Sequence, residues 1–191
     1  TISVIYNGFS GSRYSLTMNE VSDFNGDGQK GNSLLYIPTE AEMDNMNFVD
    51  YTDQKTGKLI MSAADSRKAF TEWVNNDDYA KNHRGQYAER NSNLSNWEHE
   101  IDLHLAQTIY NAQGLGKLEF TFDIINFANM LNKKWGASYS SAYNLSPLTV
   151  VSLSTDENGN RNPGYAFNNA KINKSDISSR WHAQVGIRLT F

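Results

Sequence analysis

The run Asp23-Phe24-Asn25-Gly26-Asp27-Gly28 places side-chain oxygens at its first, third and fifth positions and a glycine at its sixth. That is the opening of a calcium loop, in which the turn allowed by glycine brings alternate oxygens to one point. An acidic residue is expected at the twelfth position, and Leu34 stands there. A Ca2+ ion on Asp23, Asn25 and Asp27 would need Asn32 or a backbone carbonyl to complete its shell. The competing reading is an Asx-rich turn closed on its own backbone amides.

The other titratable candidates are His83, His99, His104 and His182, together with Glu100, Asp102, Glu119, Asp123 and Arg188. His104 and His182 share the polar strand face with most of those charges, and paired carboxylates suit acid and base roles. The same pattern arises wherever polar strand faces meet, without catalysis. The chain has no serine elbow, His-Glu-x-x-His helix or phosphate-cradling glycine loop, so no enzyme is expected. It has no cysteine, which excludes disulfides and thiolate metal sites, and its net charge of −4 argues against a nucleic-acid partner.

The elements that must position these residues are strands. From Trp181 to Phe191 the alternation is nearly unbroken: Trp181, Ala183, Val185, Ile187, Leu189 and Phe191 fall on one face, and His182, Gln184, Gly186, Arg188 and Thr190 on the other. A span of roughly 9 to 11 residues crosses a bilayer at a tilt. The same test yields strands at about 1-7, 13-20, 97-110 and 117-127, with the last at 180-191. Ile101, Leu103, Leu105, Leu118, Phe120 and Phe122 extend the apolar face, and Gln107 breaks it, so that either the membrane-facing span stops there or a bulge shifts the register. Tight turns at 7–12 and 111–116 alternate with long loops at 21-96 and 128-179, the asymmetry of outer-membrane barrels. On that pattern the first strand descends and the last descends to a periplasmic rim.

The first long loop holds two expected helices. One is capped by Thr39 with Glu42 three residues on. The other starts at Ser62 and Asp65, lays Ala69, Phe70, Trp73 and Val74 on one side, and ends before Arg84. Asp156 to Asn160 predicts a hairpin tip. Tyr6, Trp97, Tyr110, Trp135, Trp181 and Phe191 cluster at strand ends, where rings favour a membrane interface. Sugar stacking is the sharper alternative for Trp73, Tyr79 and Tyr87. No run of about 18 apolar residues exists for a spanning helix. The chain opens inside a strand, with no Met and no signal segment, and reads as the C-terminal piece of something longer.

Gln184, Gly186, Leu189 and Phe191 are similar to the C-terminal signal that outer-membrane barrels present to the barrel-assembly machinery. Ile101 to Gln107, followed by Lys117 to Asn132 with Asp123 and then Asn126, Asn129 and Asn132, resembles the closing strands of TonB-dependent outer-membrane receptors. Asp23 to Gly28 leading to Leu35-Tyr36-Ile37-Pro38, with Arg90-Asn91 and Lys134-Trp135-Gly136, is similar to their Oar-like and SusC-like branch, common in Bacteroidetes. The resemblance implies an all-β fold: about five final strands of a 22-stranded transmembrane barrel, with long, partly helical extracellular loops. It also implies a plug and a TonB-contacting region absent from this chain. The implied partners are outer-membrane lipid, the TonB system and a surface lipoprotein, and the implied role is nutrient uptake at the bacterial outer membrane. An adhesion or scaffold barrel without transport, and a secreted soluble glycan-binding domain, are the alternatives. The residues that would bind substrate are not specified by this pattern.

Overall fold

A computed structural model describes residues 1–191 except 21, 22, 24, 54, 113–115 and 140–142. In chain order the elements are β1 (Ile2–Phe9), β2 (Arg13–Glu20), β3 (Tyr36–Ile37), α1 (Glu40–Asn45), β4 (Tyr51–Thr52), β5 (Leu59–Met61), α2 (Ala63–Asn76), β6 (Gln86–Tyr87) and β7 (Asn93–Leu94). There follow β8 (Glu98–Ala112), β9 (Gly116–Ile125), α3 (Phe127–Leu131), β10 (Asn144–Thr155), β11 (Arg161–Phe167) and β12 (His182–Thr190). The protein is mostly β-sheet, and no helix among the described residues is long and apolar enough to cross a membrane.

The chain divides into two compact units. The first contains residues 1–11, 95–141 and 172–191, and the second residues 12–94 and 142–171. The expected single run of five neighbouring strands is therefore corrected to four, in the order β1-β8-β9-β12, all antiparallel and open at both edges. No closed barrel forms from them. Segment 13–20 is a strand, but it belongs to the other sheet, ordered β11-β10-β2-β7. Residues 7–12 consequently make no hairpin, and β1 runs opposite to β8, so the expected direction of the first strand is reversed. Both long insertions, from β1 to β8 and from β9 to β12, leave the first sheet at one end. The turn expected at 111–116 lies in part outside the described residues.

In sequence β2 has the pattern of a half-exposed span, because serine and threonine imitate a wet face. Tyr14, Leu16 and Met18 are buried, but so are Ser15 and Thr17. The hydroxyl of Ser15 accepts from the Asn91 amide at 2.9 Å, and that of Thr17 bonds Ser146 at 2.8 Å. A buried hydroxyl with a partner costs little, whereas an unpaired one costs much more. Beside β2, the parallel ladder to β10 shifts register between Leu145 and Leu148, where Pro147 has no N–H to donate.

Around these strands the second unit buries Leu16, Leu35, Ile37, Phe70, Val74, Leu148 and Val150. α1 carries the expected capping box of Thr39 and Glu42, and its exposed end is bound by Arg67, which donates to the carbonyls of Met43 at 2.5 Å and Met46 at 2.7 Å. α2 is capped by Ser62 and faces the core with Ser66, Phe70 and Val74. It stops at Asn76 rather than near Arg84, because the Asp77 carboxylate takes the amides of Tyr79 and Ala80 and starts a new turn. The region 128-179 is no plain loop: β10 and β11 pair across it, and Asp156 to Asn160 forms their tip, as the sequence predicts.

Because Phe70 is fully buried, Phe70→Ala should destabilise the second unit by about 3 to 5 kcal/mol. Hydrogen exchange across residues 63–76 is the readout. Unchanged protection there would contradict this core.

Candidate functional site

The first sheet separates its two faces in register. Ile2, Leu105, Phe122 and Val185 form one transverse row, Val4, Leu103, Ile124 and Ala183 the next, and Tyr6 pairs with Ile101 beyond them. Towards the other end Phe120 pairs with Ile187 and Leu118 with Leu189. On the opposite face Ser3, His104, Asp123 and Gln184 line up, as do Thr108, Glu119 and Arg188. Ile5, Phe9 and Ile125 are exceptions on the polar face. Of the two readings of Gln107, the register shift between Thr108 and Tyr110 shows the bulge, and it returns Tyr110 to the row of Leu118.

The polar face carries side-chain pairs both between strands and along β9. His104 binds the Asp123 carboxylate, Lys117 binds Glu119 at 2.6 Å, and Arg188 approaches the same Glu119 at 3.9 Å. The apolar face is uncovered. Ile2 is 75% exposed, Ile187 76% and Phe191 98%. In the whole first unit only Asn126, Ala128 and Ser179 are buried among the described residues. Rings stand at both ends of this face: Tyr6, Trp97 and His99 stack at one, and Tyr110 and Phe191 lie at the other.

Of the C-terminal set, Gln184 and Gly186 lie on the polar face and Leu189 on the apolar one. Phe191 follows β12. Gly186 also has a local reason: a Cβ there would lie 2.5 Å from the hydroxyl of its cross-strand partner Thr121.

The asparagine series acquires a role at the top of β9. Asn126 takes a left-handed conformation (φ 55°), which asparagine tolerates better than most residues. Its amide donates to the carbonyls of Gly136 at 2.8 Å and Ser179 at 2.9 Å, while its backbone N–H donates to Asp102 at 2.8 Å. Asn129 donates to the carbonyl of Trp135, and Asn132 accepts from the Lys134 amide. These contacts tie α3 and residues 132–139 to the strand end. Burial of Asn126 was not legible in a polar residue, although its spacing was.

Asp23, Asn25 and Asp27 form a turn and not an extended segment. Asp23 accepts from the amides of Gly26, Asp27 and Gly28 at 2.7, 3.1 and 2.9 Å. Asn25 Oδ1 meets the same Asp27 amide at 3.1 Å, and Asp27 accepts from the Gln29 amide and from the side chains of Asn25 and Asn32. Every side-chain oxygen of the three thus has a donor, which is the Asx-turn geometry. The neighbour Phe24 lies outside the described residues. No group of three His, Asp or Glu suited to a metal occurs among the described residues.

Of the three proposed stacking rings, Trp73 lies flat against Phe70 and Tyr79 against His83. Only Tyr87 presents open surface, at 66% exposure. Comparison with family profiles, curated proteins and solved structures gave no match.

Hydrogen bonds from Asn32, Gln29 and Asn25 hold the Asp27 carboxyl below the usual range. Its folded pKa is thus the lower one, so its stabilising contribution is complete above the unfolded pKa and is lost as pH falls through the folded pKa. The Gln29 amide resonance should therefore titrate with a midpoint below the ordinary aspartate value of about 3.9. A midpoint at or above that value would contradict the turn.

Proposed function

We propose that the chain is the C-terminal barrel portion of an Oar-like or SusC-like TonB-dependent outer-membrane receptor, which takes up a nutrient such as a glycan or peptide. The supporting observation is the exposed apolar face of β1, β8, β9 and β12, backed by a charged face in the same register. A four-stranded sheet with neither face packed cannot repay its ordering in water, whereas lipid would cover one face and an aqueous lumen the other. With the bulged residue discounted, β8 advances about 26 Å from the Ile101 row to the Tyr110 row at roughly 3.3 Å per residue. At a tilt of about 40° that is a height of about 20 Å, within the roughly 25 Å apolar band of such barrels. The two open edges would pair with further strands of the receptor.

On this reading the barrel wall performs no bond chemistry. Transport would draw on energy relayed by the TonB system, through the receptor's plug. An adhesion or scaffold barrel keeps the same wall and differs by having no plug that moves. The secreted soluble glycan-binding reading is disfavoured by the uncovered apolar face. A Ca2+ ion on Asp23, Asn25 and Asp27 is a separate proposal, supported by the turn that already gathers their oxygens.

Deleting Phe191, or replacing it with Asp, should lower the amount of heat-modifiable full-length barrel in the outer membrane several-fold, since the terminal aromatic would be the residue read by the assembly machinery. Wild-type levels of the folded band would count against this assignment. For the calcium proposal, calorimetry on the full-length receptor should show saturable Ca2+ binding abolished by Asp23→Ala, and no binding heat would leave a turn alone.

A further inference from the structure

The second unit contains a recess that the membrane reading does not use. β3 and β6 place Tyr36 and Tyr87 directly opposite each other, with ring centroids 5.1 Å apart and planes at 63°. Tyr165 supplies a third ring. Its backbone is fixed on both sides, accepting from the Val49 amide at 2.9 Å and donating to the Asn47 carbonyl at 2.8 Å. With Glu42 at the side and Met18 and Leu148 buried at the base, these rings enclose a cavity of about 240 Å³.

Glu42 is immobilised. One carboxylate oxygen accepts from the Tyr36 hydroxyl at 2.9 Å, and the other from both the amide and the hydroxyl of Thr39, each at 2.9 Å. The Thr39 bonds, and then that of Tyr36, hold its pKa low, so the charge is permanent near neutral pH. No Lys, Arg or His lines the cavity among the described residues. Two guanidinium groups nearby are bound to backbone carbonyls instead: Arg67 to those of Met43 and Met46, and Arg84 to that of Pro38 at 3.1 Å.

We infer that this recess is a cage for an organic ammonium group, held over the faces of Tyr36, Tyr87 and Tyr165 and paired with Glu42. Aromatic faces carry negative potential and attract a cation within about 6 Å of the ring centre, most strongly when it is weakly hydrated, as alkylated ammonium is. A sugar is a poorer fit, because its hydroxyls need matched donors and acceptors, whereas the lining is three tyrosines and apolar side chains around one carboxylate that is already engaged. Beside the cage a second recess of about 320 Å³ shares Glu42 and Tyr165 and presents Asn45, Asn47 and Asn162. Those amides suit a peptide main chain, so the ammonium group could arrive free or as a lysine side chain. The inference stands on the second unit and does not depend on membrane insertion of the first.

The test is calorimetric titration of the full-length protein in detergent with choline, with its neutral isostere 3,3-dimethylbutan-1-ol, and with the tripeptide Gly-Lys-Gly. Choline or the tripeptide should bind saturably, and choline about 10-fold or more tighter than the isostere. The tighter of the two cations identifies whether the source is a free ammonium compound or a peptide. Glu42→Gln should weaken cation binding about 3-fold or more while leaving the helix intact, because glutamine also completes a capping box. Tyr87→Ala, at an exposed ring, should weaken it by a similar factor. Equal affinity for choline and its isostere, full affinity in Glu42→Gln, or no saturable cation binding would each overturn the cage. None of these results bears on outer-membrane assembly, so failure here and failure of the receptor reading are distinguishable.

Discussion

Successive residues of a strand point to opposite faces, so the hydrogen-bond register of β1, β8, β9 and β12 decides which medium each face can meet. The observed register puts Leu105, Phe122 and Val185 in one row and His104, Asp123 and Gln184 in the adjacent row on the other side. A slip of one residue in β8, β9 or β12 would carry charges into the apolar face, and in a bilayer each midplane base would cost about 2 to 4 kcal/mol. On the polar side His104 of β8 with Asp123 of β9, and Arg188 of β12 with Glu119 of β9, pair across strands in the same register. Gly186 permits the close approach of its cross-strand partner Thr121 in this alignment.

The insertions follow a different physical rule. The second unit has an apolar core around Phe70, Leu16 and Leu148, and the buried hydroxyls of Ser15 and Thr17 within it are each paired. The same capping box that starts α1 also fixes the Glu42 charge beside three tyrosines. A stabilising device and a candidate recognition device are therefore built from one side chain. The first unit instead invests its internal hydrogen bonds at the strand end, where Asn126 joins β9 to Gly136 and Ser179.

Much of this was legible in the sequence where one physical signal dominated. The alternation in 180-191 and through the first part of 97-110 gave the two faces, Gln107 in an apolar row marked either the end of the span or a bulge, and Thr39 with Glu42 gave the helix start. Misreading began where two causes produce the same letters. Ser15 and Thr17 resemble a solvated face but are buried with partners, so β2 was assigned to the wrong sheet. Parallel pairing of β2 with β10 joins residues far apart in sequence, and no local pattern reports it. The tyrosine recess depended on the same long-range pairing: Tyr36 and Tyr87 are separated by the whole of α1 and α2 and meet only through β3 and β6.

The central claim is that one face of the first sheet meets lipid and the other meets water. Single spin labels at successive positions from Gln184 to Leu189 in the full-length protein, reconstituted in bilayers, would measure this through accessibility to a lipid-soluble and a water-soluble relaxant. The account predicts a period of two, with Val185, Ile187 and Leu189 open to the lipid-soluble agent and Gln184, Gly186 and Arg188 to the aqueous one. Uniform aqueous accessibility along the strand, or protection of Val185, Ile187 and Leu189 from both agents, would contradict it.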